Sequence, residues 1–368
     1  MPSIPLLLLL LLLTGCQESV DPVQQTFSAT QLLSNSEIEG FSRADHIRPF
    51  RFPEDHAAHP DYRNEWWYFT GNLNDQAGRR FGYQVTFFRF ALKPPPATEH
   101  PSSWANNQVW MAHVAITDPQ EKRHMAEEKR VREGPGLAGT TLNPLKVWVE
   151  NWQLTESTKG FPWHVQINTQ KMGIDLELTP TVGLVLQGDK GLSQKSAASG
   201  NASYYYSYPR LKSQGTITLA GTTYQVTGES WFDREWGTSA LSSEQTGWDW
   251  FSLQFNSGES LMFYHLRDQQ GKADTFSGGT WIDSKAKTAR LSLDDVELTP
   301  VSWWESPAGI RYPTEWKMQL VPENRTLIVR AVLDKQEMDL SVRYWEGAVD
   351  VLEQGRTIGR GYLEMTGY

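Results

Sequence analysis

Short segments in which apolar and polar positions alternate recur along most of the chain, and helical periodicity is rare. The clearest pair covers residues 65–72 and 80–92, which are rich in aromatic and β-branched residues and flank a turn at 74–78. This pattern predicts a β-hairpin. Both faces of its second strand carry apolar side chains, whereas a strand wetted on one face alternates more cleanly. We therefore expect the far face to line an enclosed space.

Further strands are predicted at regular intervals, and only residues 125–132 are a candidate helix. Evenly spaced strands separated by turn signals are typical of a β-barrel or β-sandwich. Residues 93–103, with three consecutive prolines at Pro94, Pro95 and Pro96, predict a stiff loop over one rim.

The pattern starts again after Gly247. GWDWFSLQF and ESLMFYHLRD repeat the order and chemistry of NEWWYFTGNL and FGYQVTFFRF. An internal repeat of this length favours two similar all-β domains over one large barrel. We place the first at residues 61–236 and the second at 237–368.

Composition excludes several classes of protein. Aromatic residues make up 12% of the 368 positions, which is too many for a disordered chain. The net charge of −9 argues against nucleic-acid binding, which needs a basic face. The sequence also lacks a Gly-rich phosphate loop, a nucleophile elbow and an HExxH motif.

The N-terminal segment predicts export. A run of leucines from Leu6 to Leu13 precedes Thr14, Gly15 and Cys16, the chain's single cysteine. The run is too short to span a bilayer stably and fits a signal peptide at residues 1–15. Its end resembles a bacterial lipobox, so we expect Cys16 to be lipidated and the protein to be anchored in the cell envelope, at the outer membrane facing the periplasm.

Residues 16–60 are polar, carry several prolines and predict a tether. His46, His56 and His59 lie near its end, without the regular spacing of metal ligands. We interpret them as loop histidines rather than a metal site, and we expect neither a metal nor a cofactor.

The most unusual chemistry falls in residues 228–255. Trp231, Trp236, Trp248 and Trp250 surround the charged run Asp233, Arg234 and Glu235. Tryptophan buries a large area and needs a partner for its N–H group. The segment therefore predicts either the lining of a ligand cavity or an ion-pair knot that joins the two domains.

Several motifs in order carry a family resemblance: NEWWYFTGNL, NQVWMAHVAITD, WFDREWGTS, GWDWFSLQF, YPTEWKMQL, YWEGAV and GYLEMTGY. From about residue 64 to 368 the chain resembles AttH-type secreted lipoproteins and carotenoid 1,2-hydratases. The resemblance implies two tandem lipocalin-like antiparallel β-barrels packed side by side, with hydrophobic cargo. It also implies ABC-transporter components as possible partners, and fungal pericyclases of similar fold show that the scaffold hosts enzymes.

A hydratase would need an acid, walls that tolerate a cation and a positioned water. The acid candidates are Asp233, Glu229 and Glu235. The wider set of candidate catalytic residues comprises Asp233, Arg234, Trp236, Tyr264 and His265, and the candidate ligand-binding residues are Trp66, Trp67, His113, Trp231, Trp248 and Trp250. Compared with the hydratases, Arg234 stands where their pattern has histidine, and a guanidinium cannot shuttle protons as imidazole can. His113 lies on a strand with apolar neighbours, and a lone histidine there is more often a buried structural residue than a catalyst.

Three functions follow from these patterns. The leading one is binding or handing over an apolar or amphipathic small molecule, for which the resemblance implies an ABC-transport system as partner. The alternative is a hydro-lyase or isomerase that acts on a polyene or terpenoid. The third is an interaction protein whose barrels are filled by their own side chains. A cavity separates the third from the others, and a buried carboxylic acid facing it would favour the enzyme.

Overall fold

The computed structural model describes residues 27–28, 39–95, 102, 106–157, 160–239 and 241–368. These residues form two antiparallel sheets with almost no helix. The predicted lipid anchor at Cys16 and most of the proline-rich loop lie outside the described residues. No described helix is long and apolar enough to cross a membrane.

The first sheet runs in the order β5-β4-β3-β2-β14-β13-β10-β9-β8-β7-β6, with β11 and β12 paired to β13. Its strands are β2 (Asn64–Asp75), β3 (Arg80–Ala91), β4 (Gln108–Asp118), β5 (Arg123–Arg132), β6 (Ala138–Leu142), β7 (Leu145–Val149), β8 (Trp152–Glu156), β9 (Trp163–Asn168), β10 (Met172–Pro180), β11 (Val185–Leu186), β12 (Leu192–Gln194), β13 (Ala202–Leu219) and β14 (Thr222–Gly237). The sheet curls until β7 lies beside β5, where Thr169 donates a hydrogen bond to Glu127 at 3.1 Å. The result is a nearly closed barrel, and one continuous apolar core fills its interior.

The second sheet runs in the order β18-β17-β16-β15-β24-β23-β21-β20-β19. Its strands are β15 (Gln245–Phe255), β16 (Ser260–Asp268), β17 (Gly278–Ile282), β18 (Thr288–Ser292), β19 (Val296–Glu305), β20 (Arg311–Leu320), β21 (Arg325–Ala331), β22 (Glu337–Asp339), β23 (Val342–Glu353) and β24 (Arg356–Met365). β22 pairs with β23, and so does the short β1 (Phe27–Ser28). A 3-10 turn at Leu293–Asp295 joins β18 to β19, and a second core lies inside the curl.

The internal repeat is visible in the topology. In each sheet the first hairpin, β2-β3 or β15-β16, lies beside the last strand of the same sheet, β14 or β24. The prediction of two packed antiparallel β-barrels is therefore confirmed for the fold class. The candidate helix at 125–132 is wrong, because these residues form β5 against β4. Its side chains are mostly half-buried, and exposed Arg130 and Arg132 alternate with half-buried Val131 at its end, which is a strand period.

The two sheets pack face to face through β2 and β3 on one side and β23 and β24 on the other. Gly82 of β3 makes this close approach possible, since a Cβ atom there would lie 2.7 Å from Ala348 Cβ and 2.9 Å from the Tyr362 hydroxyl. Asn72 donates a hydrogen bond across the interface to the Gly361 carbonyl at 3.1 Å. The far face of the first hairpin is thus enclosed, as its mixed apolar pattern predicts.

Residues 39–63 lie against one end of the first barrel rather than extending away from it. Trp67 donates a hydrogen bond to the His56 carbonyl at 2.8 Å, and the His56 imidazole lies 2.6 Å from the Tyr206 hydroxyl. His59 stacks on Trp236 with ring centroids 3.9 Å apart. Within this segment, the part predicted as a tether is a cap, because its aromatic and polar side chains find partners at the barrel end.

Candidate functional site

A cavity of about 110 Å³ lies between the two sheets. One water occupies about 30 Å³ in the liquid, so the space exceeds that of a single water. Aromatic and apolar side chains form most of its wall: Trp66, Tyr68, Phe88, Phe90, Met111, Tyr205, Trp248, Trp250, Tyr264, Leu266, Val342 and Tyr344. Its polar members are His113, Lys195, Asp233, Glu235, Glu364 and Thr366. The side of the cavity nearest solvent is lined by the half-buried aromatic residues Trp66, Phe88, Phe90 and Trp248.

Asp233 is buried in this cavity and is held by three donors. Trp231 donates its indole N–H at 2.7 Å, Tyr205 donates its hydroxyl at 2.6 Å, and Ser207 donates a third hydrogen bond. Burial raises the pKa of Asp233 to about 7, although the three hydrogen bonds favour the ionised form. The side chain can therefore change its protonation state near neutral pH.

A second acid, Glu364 of β24, lines the same cavity. Its Oε1 atom accepts a hydrogen bond from the Trp248 indole at 2.9 Å. Burial raises its pKa to about 7, and the charges of Asp233 and Glu235 contribute to the increase. Glu346 lies directly opposite on β23 and is buried, whereas Glu364 is half-buried. Burial and the charge of Glu364 raise the pKa of Glu346 well above its usual range.

Lys195 and Glu235 form an ion pair at the cavity wall, with 3.2 Å between Nζ and Oε1. The ammonium group also donates to the Ser193 hydroxyl at 3.0 Å and lies 4.2 Å from the centre of the Tyr264 ring. Burial lowers the pKa of Lys195, but the negative charge of Glu235 outweighs this, and the net shift is upward. Lys195 thus stays charged and is held in place.

Strand alternation separates the predicted catalytic residues. Asp233 faces the cavity, whereas its neighbours Arg234 and Trp236 point into the end of the first barrel. Arg234 pairs there with buried Glu65 and lies 3.8 Å from the centre of the Trp67 ring. Burial raises the pKa of Glu65, but the charges of Arg89 and Arg234 outweigh it and hold that pKa well below its usual range. An ion-pair cluster of Arg234, Glu65 and Arg89 and the aromatic cavity thus lie on opposite faces of β14. The cluster lies within the first barrel, whereas the predicted knot joined the two domains.

Tyr264 and His265 are separated in the same way. Tyr264 lines the cavity, while His265 points into the second barrel and lies 3.0 Å from Asp249. Asp249 also accepts a hydrogen bond from the Tyr368 hydroxyl at 2.7 Å and pairs with Arg267 at 3.2 Å.

Of the predicted ligand-binding residues, Trp66, His113, Trp248 and Trp250 line the cavity. Trp231 lies behind the wall as a donor to Asp233, and Trp67 is buried in the first barrel beside Trp110. The remaining acid candidate, Glu229, pairs with Arg210 outside the cavity.

Sequence reasoning missed Glu364, Glu346 and Lys195. The two glutamates stand in the motifs GYLEMTGY and YWEGAV, where each is a lone carboxylate within an apolar strand. That pattern could have marked them as buried acids. Lys195 lies in an irregular polar segment after β12, and nothing in the sequence around it indicates burial.

Within the described ranges, no group of three or more histidine, cysteine, aspartate or glutamate residues could hold a metal ion.

Fold and cavity together define a class of all-β proteins in which two packed antiparallel sheets enclose an aromatic cavity with buried acids. The chain belongs to the AttH-like family, whose model matches residues 43–368. A crystal structure of an AttH-type protein from Nitrosomonas europaea is similar, with 32% identity and a TM-score of 0.79 over 89% of this chain and 100% of that one. The predicted family resemblance is confirmed.

A second relative is more distant. Kievitone hydratase of Fusarium solani subsp. phaseoli is 22% identical over 217 residues, and the match spans 56% of this chain and 58% of that protein. The crystal structure of kievitone hydratase from Nectria haematococca has a TM-score of 0.66 at 15% identity, over 90% of this chain and 97% of that one. At this identity the structural likeness concerns the fold alone.

Proposed function

We propose that this protein adds water to a carbon–carbon double bond of a small, largely apolar molecule held between the two sheets, or removes water in the reverse direction. One observation carries the proposal. Asp233 is buried and Glu364 is half-buried in one aromatic cavity, and the pKa of each is raised to about 7. A carrier has no need of two such acids, whereas hydration needs an acid and a base.

The hydrogen bonds assign a role to each acid. Asp233 accepts three, which favour its ionised form, whereas Glu364 accepts one from Trp248. A negative charge on Asp233 raises the pKa of Glu364, so the loss of the first proton makes the second harder to remove. Near neutral pH, Glu364 therefore keeps its proton and is the acid, and Asp233 is the base.

The reaction follows from these roles. Glu364 donates its proton to one alkene carbon, and positive charge develops on the other. A water molecule adds to that carbon and gives its proton to Asp233. The rings of Trp250 and Trp248 line the cavity where the positive charge develops, and aromatic faces attract cations. Double bonds whose cation is tertiary suit this route best.

The relatives support the same reaction class. The curated relative is a hydratase, and the predicted alternative of a hydro-lyase uses the same cavity. Simple binding of an apolar molecule, the leading function predicted from the sequence, remains the first step of the proposed reaction.

The proposal is tested by incubating the protein with a panel of prenylated phenols and terpenols in H₂¹⁸O. Mass spectrometry should detect a product heavier than the substrate by one labelled water. Glu364→Gln should abolish this product, because the amide cannot donate the required proton. Glu229→Gln is the matched control, since Glu229 pairs with Arg210 outside the cavity.

Two results would count against the proposal. Turnover that persists in folded Glu364→Gln would exclude this acid. Tight binding of panel members without any labelled product would favour the carrier.

A further inference from the structure

A line of polar side chains connects the outer part of the sheet interface with the facing pair Glu346 and Glu364. It begins at Glu128 of β5, whose side chain is 15% exposed. The Nε2 atom of buried His113 on β4 lies 3.8 Å from Glu128 Oε2. The Nδ1 atom of the same ring lies 2.8 Å from the Tyr344 hydroxyl on β23. Glu346 follows two positions later on the same face of β23, opposite Glu364.

Glu128 is fixed at the outer end. Its carboxylate accepts hydrogen bonds from the Ser341 backbone N–H at 3.0 Å and from the Ser341 hydroxyl at 2.5 Å. The Arg130 guanidinium lies 3.7 Å from the same carboxylate. Because Ser341 belongs to the second sheet's side of the interface, these bonds close the two sheets around the line at its partly exposed end.

His113 has the properties of a proton-transferring group. Burial lowers its pKa to about 3, and the charge of Arg130 contributes, so the imidazole is neutral. A neutral imidazole carries one N–H donor and one acceptor, and it can take a proton at one nitrogen while giving one up at the other. Its Nε2 atom is buried and makes no hydrogen bond in the structure. A buried polar atom without a partner calls for an explanation beyond packing.

Tyr344 continues the line inward. Its hydroxyl meets His113, and its ring stacks on the imidazole with centroids 5.7 Å apart. Both carboxyl oxygens of buried Glu346 lack a hydrogen bond. The Tyr344 and Tyr68 hydroxyls nevertheless lie near enough to interact with this carboxyl group. The carboxyl group is therefore free to exchange a proton with the Tyr344 hydroxyl after a small movement.

We propose that Glu128, His113 and Tyr344 carry protons between solvent and the facing pair Glu346 and Glu364. This inference rests on the proposed function, because it supplies the proton that Glu364 gives up in each turnover.

The transfer balances. Glu346 passes its proton to the Glu364 carboxylate and takes the hydroxyl proton of Tyr344. Tyr344 takes the Nδ1 proton of His113, and the imidazole takes a proton at Nε2 from the Glu128 carboxyl or a water beside it. The proton on Asp233 leaves to water when the product departs. Every group of the line then has its starting charge, with the histidine in its other tautomer until the ring exchanges its proton with water.

The test needs no substrate. The full chain is first held at a pH high enough to ionise Glu364, because this acid keeps its proton near neutral pH. A photoacid then releases protons, and time-resolved infrared spectroscopy follows the carbonyl stretch of protonated carboxyl groups. Glu364→Gln and Glu346→Gln identify the bands of the two acids. Tyr344→Phe keeps the ring and removes the hydroxyl. It should slow protonation of these acids at least about tenfold, which is less than the contribution of a positioned proton donor to a reaction rate. His113→Phe should have the same effect.

His124→Phe is the matched control. His124 lies on β5, bonds through Nδ1 to the Thr117 hydroxyl at 2.9 Å and does not line the cavity. Its substitution should leave the rate unchanged. Unchanged rates in Tyr344→Phe and His113→Phe would overturn the inference, and so would equal slowing in His124→Phe. If Tyr344→Phe and His113→Phe slow protonation but Glu364→Gln still hydrates the panel compounds, the proposed function is wrong and the inference about proton transfer is supported.

Discussion

Replacing Arg234 by methionine separates the two roles predicted for the charged run Asp233, Arg234 and Glu235, which are ligand binding and an ion-pair knot. The guanidinium is fully buried, pairs with Glu65, donates to the Ala57 carbonyl at 2.7 Å and lies 3.8 Å from the Trp67 ring centre. Breaking a buried ion pair costs about 3–5 kcal/mol. We take the lower value because Arg89 still contacts Glu65. Loss of the cation–π contact adds about 1 kcal/mol.

The sum is about 4 kcal/mol of unfolding free energy for the first barrel and its cap. At about 2–4 °C per kcal/mol for a unit of this size, Tm should fall by about 8–16 °C. Calorimetry measures this, because it resolves separate transitions of the two barrels if they unfold independently. Ligand affinity of the folded fraction should not change, since the side chain points away from the cavity.

Arg330→Met is the control for Arg234→Met. Arg330 forms an ion pair with Glu315 while its side chain is 53% exposed, so its loss should cost less than about 1 kcal/mol. The reasoning is refuted if the Tm of Arg234→Met equals that of Arg330→Met. It is also refuted if the folded fraction of Arg234→Met loses ligand affinity.

Three further predictions concern other parts of the molecule. Because burial raises the folded-state pKa of Asp233 and Glu364 above their unfolded values, each acid stabilises the fold fully at acid pH. That contribution is lost as pH rises towards about 7. In Asp233→Asn with Glu364→Gln, the unfolding free energy measured with denaturant should therefore change less between acid pH and about pH 7. Gly82→Val should weaken ligand binding by forcing the sheets apart, which small-angle scattering and probe fluorescence measure; unchanged affinity would contradict the packing. Cys16→Ser should release the protein from membranes on fractionation, and continued tight association would contradict the predicted anchor.

The fold was predictable from sequence because strand period and turn residues are local signals. The hairpin predicted at 65–72 and 80–92 is β2 and β3, and its repeat is β15 and β16. Residues 125–132 were harder, since a half-exposed strand with a consecutive run of charged residues has few apolar positions from which to read a period.

The candidate site was predictable only in part. The Trp-rich segment does border the cavity, but adjacent residues of a strand face opposite ways, so Asp233 and Arg234 could not share one site. Glu364 lies more than a hundred positions from Asp233 in the sequence and joins it only because β24 packs against β2. Pairings of this kind depend on how two sheets dock, which no local pattern encodes. The lipid anchor and the transporter partnership stay predictions.

The most direct test of the central claim is a ¹³C NMR titration of the side-chain carboxyl carbons. We expect two carboxyl groups to titrate near pH 7, one absent from Asp233→Asn and the other absent from Glu364→Gln. We also expect the group that remains in Asp233→Asn to titrate at a lower pH, because it no longer faces the charge of Asp233. If both groups instead titrate below about pH 5, as solvated carboxylates do, the cavity holds no acid at neutral pH and the proposed hydration chemistry is wrong.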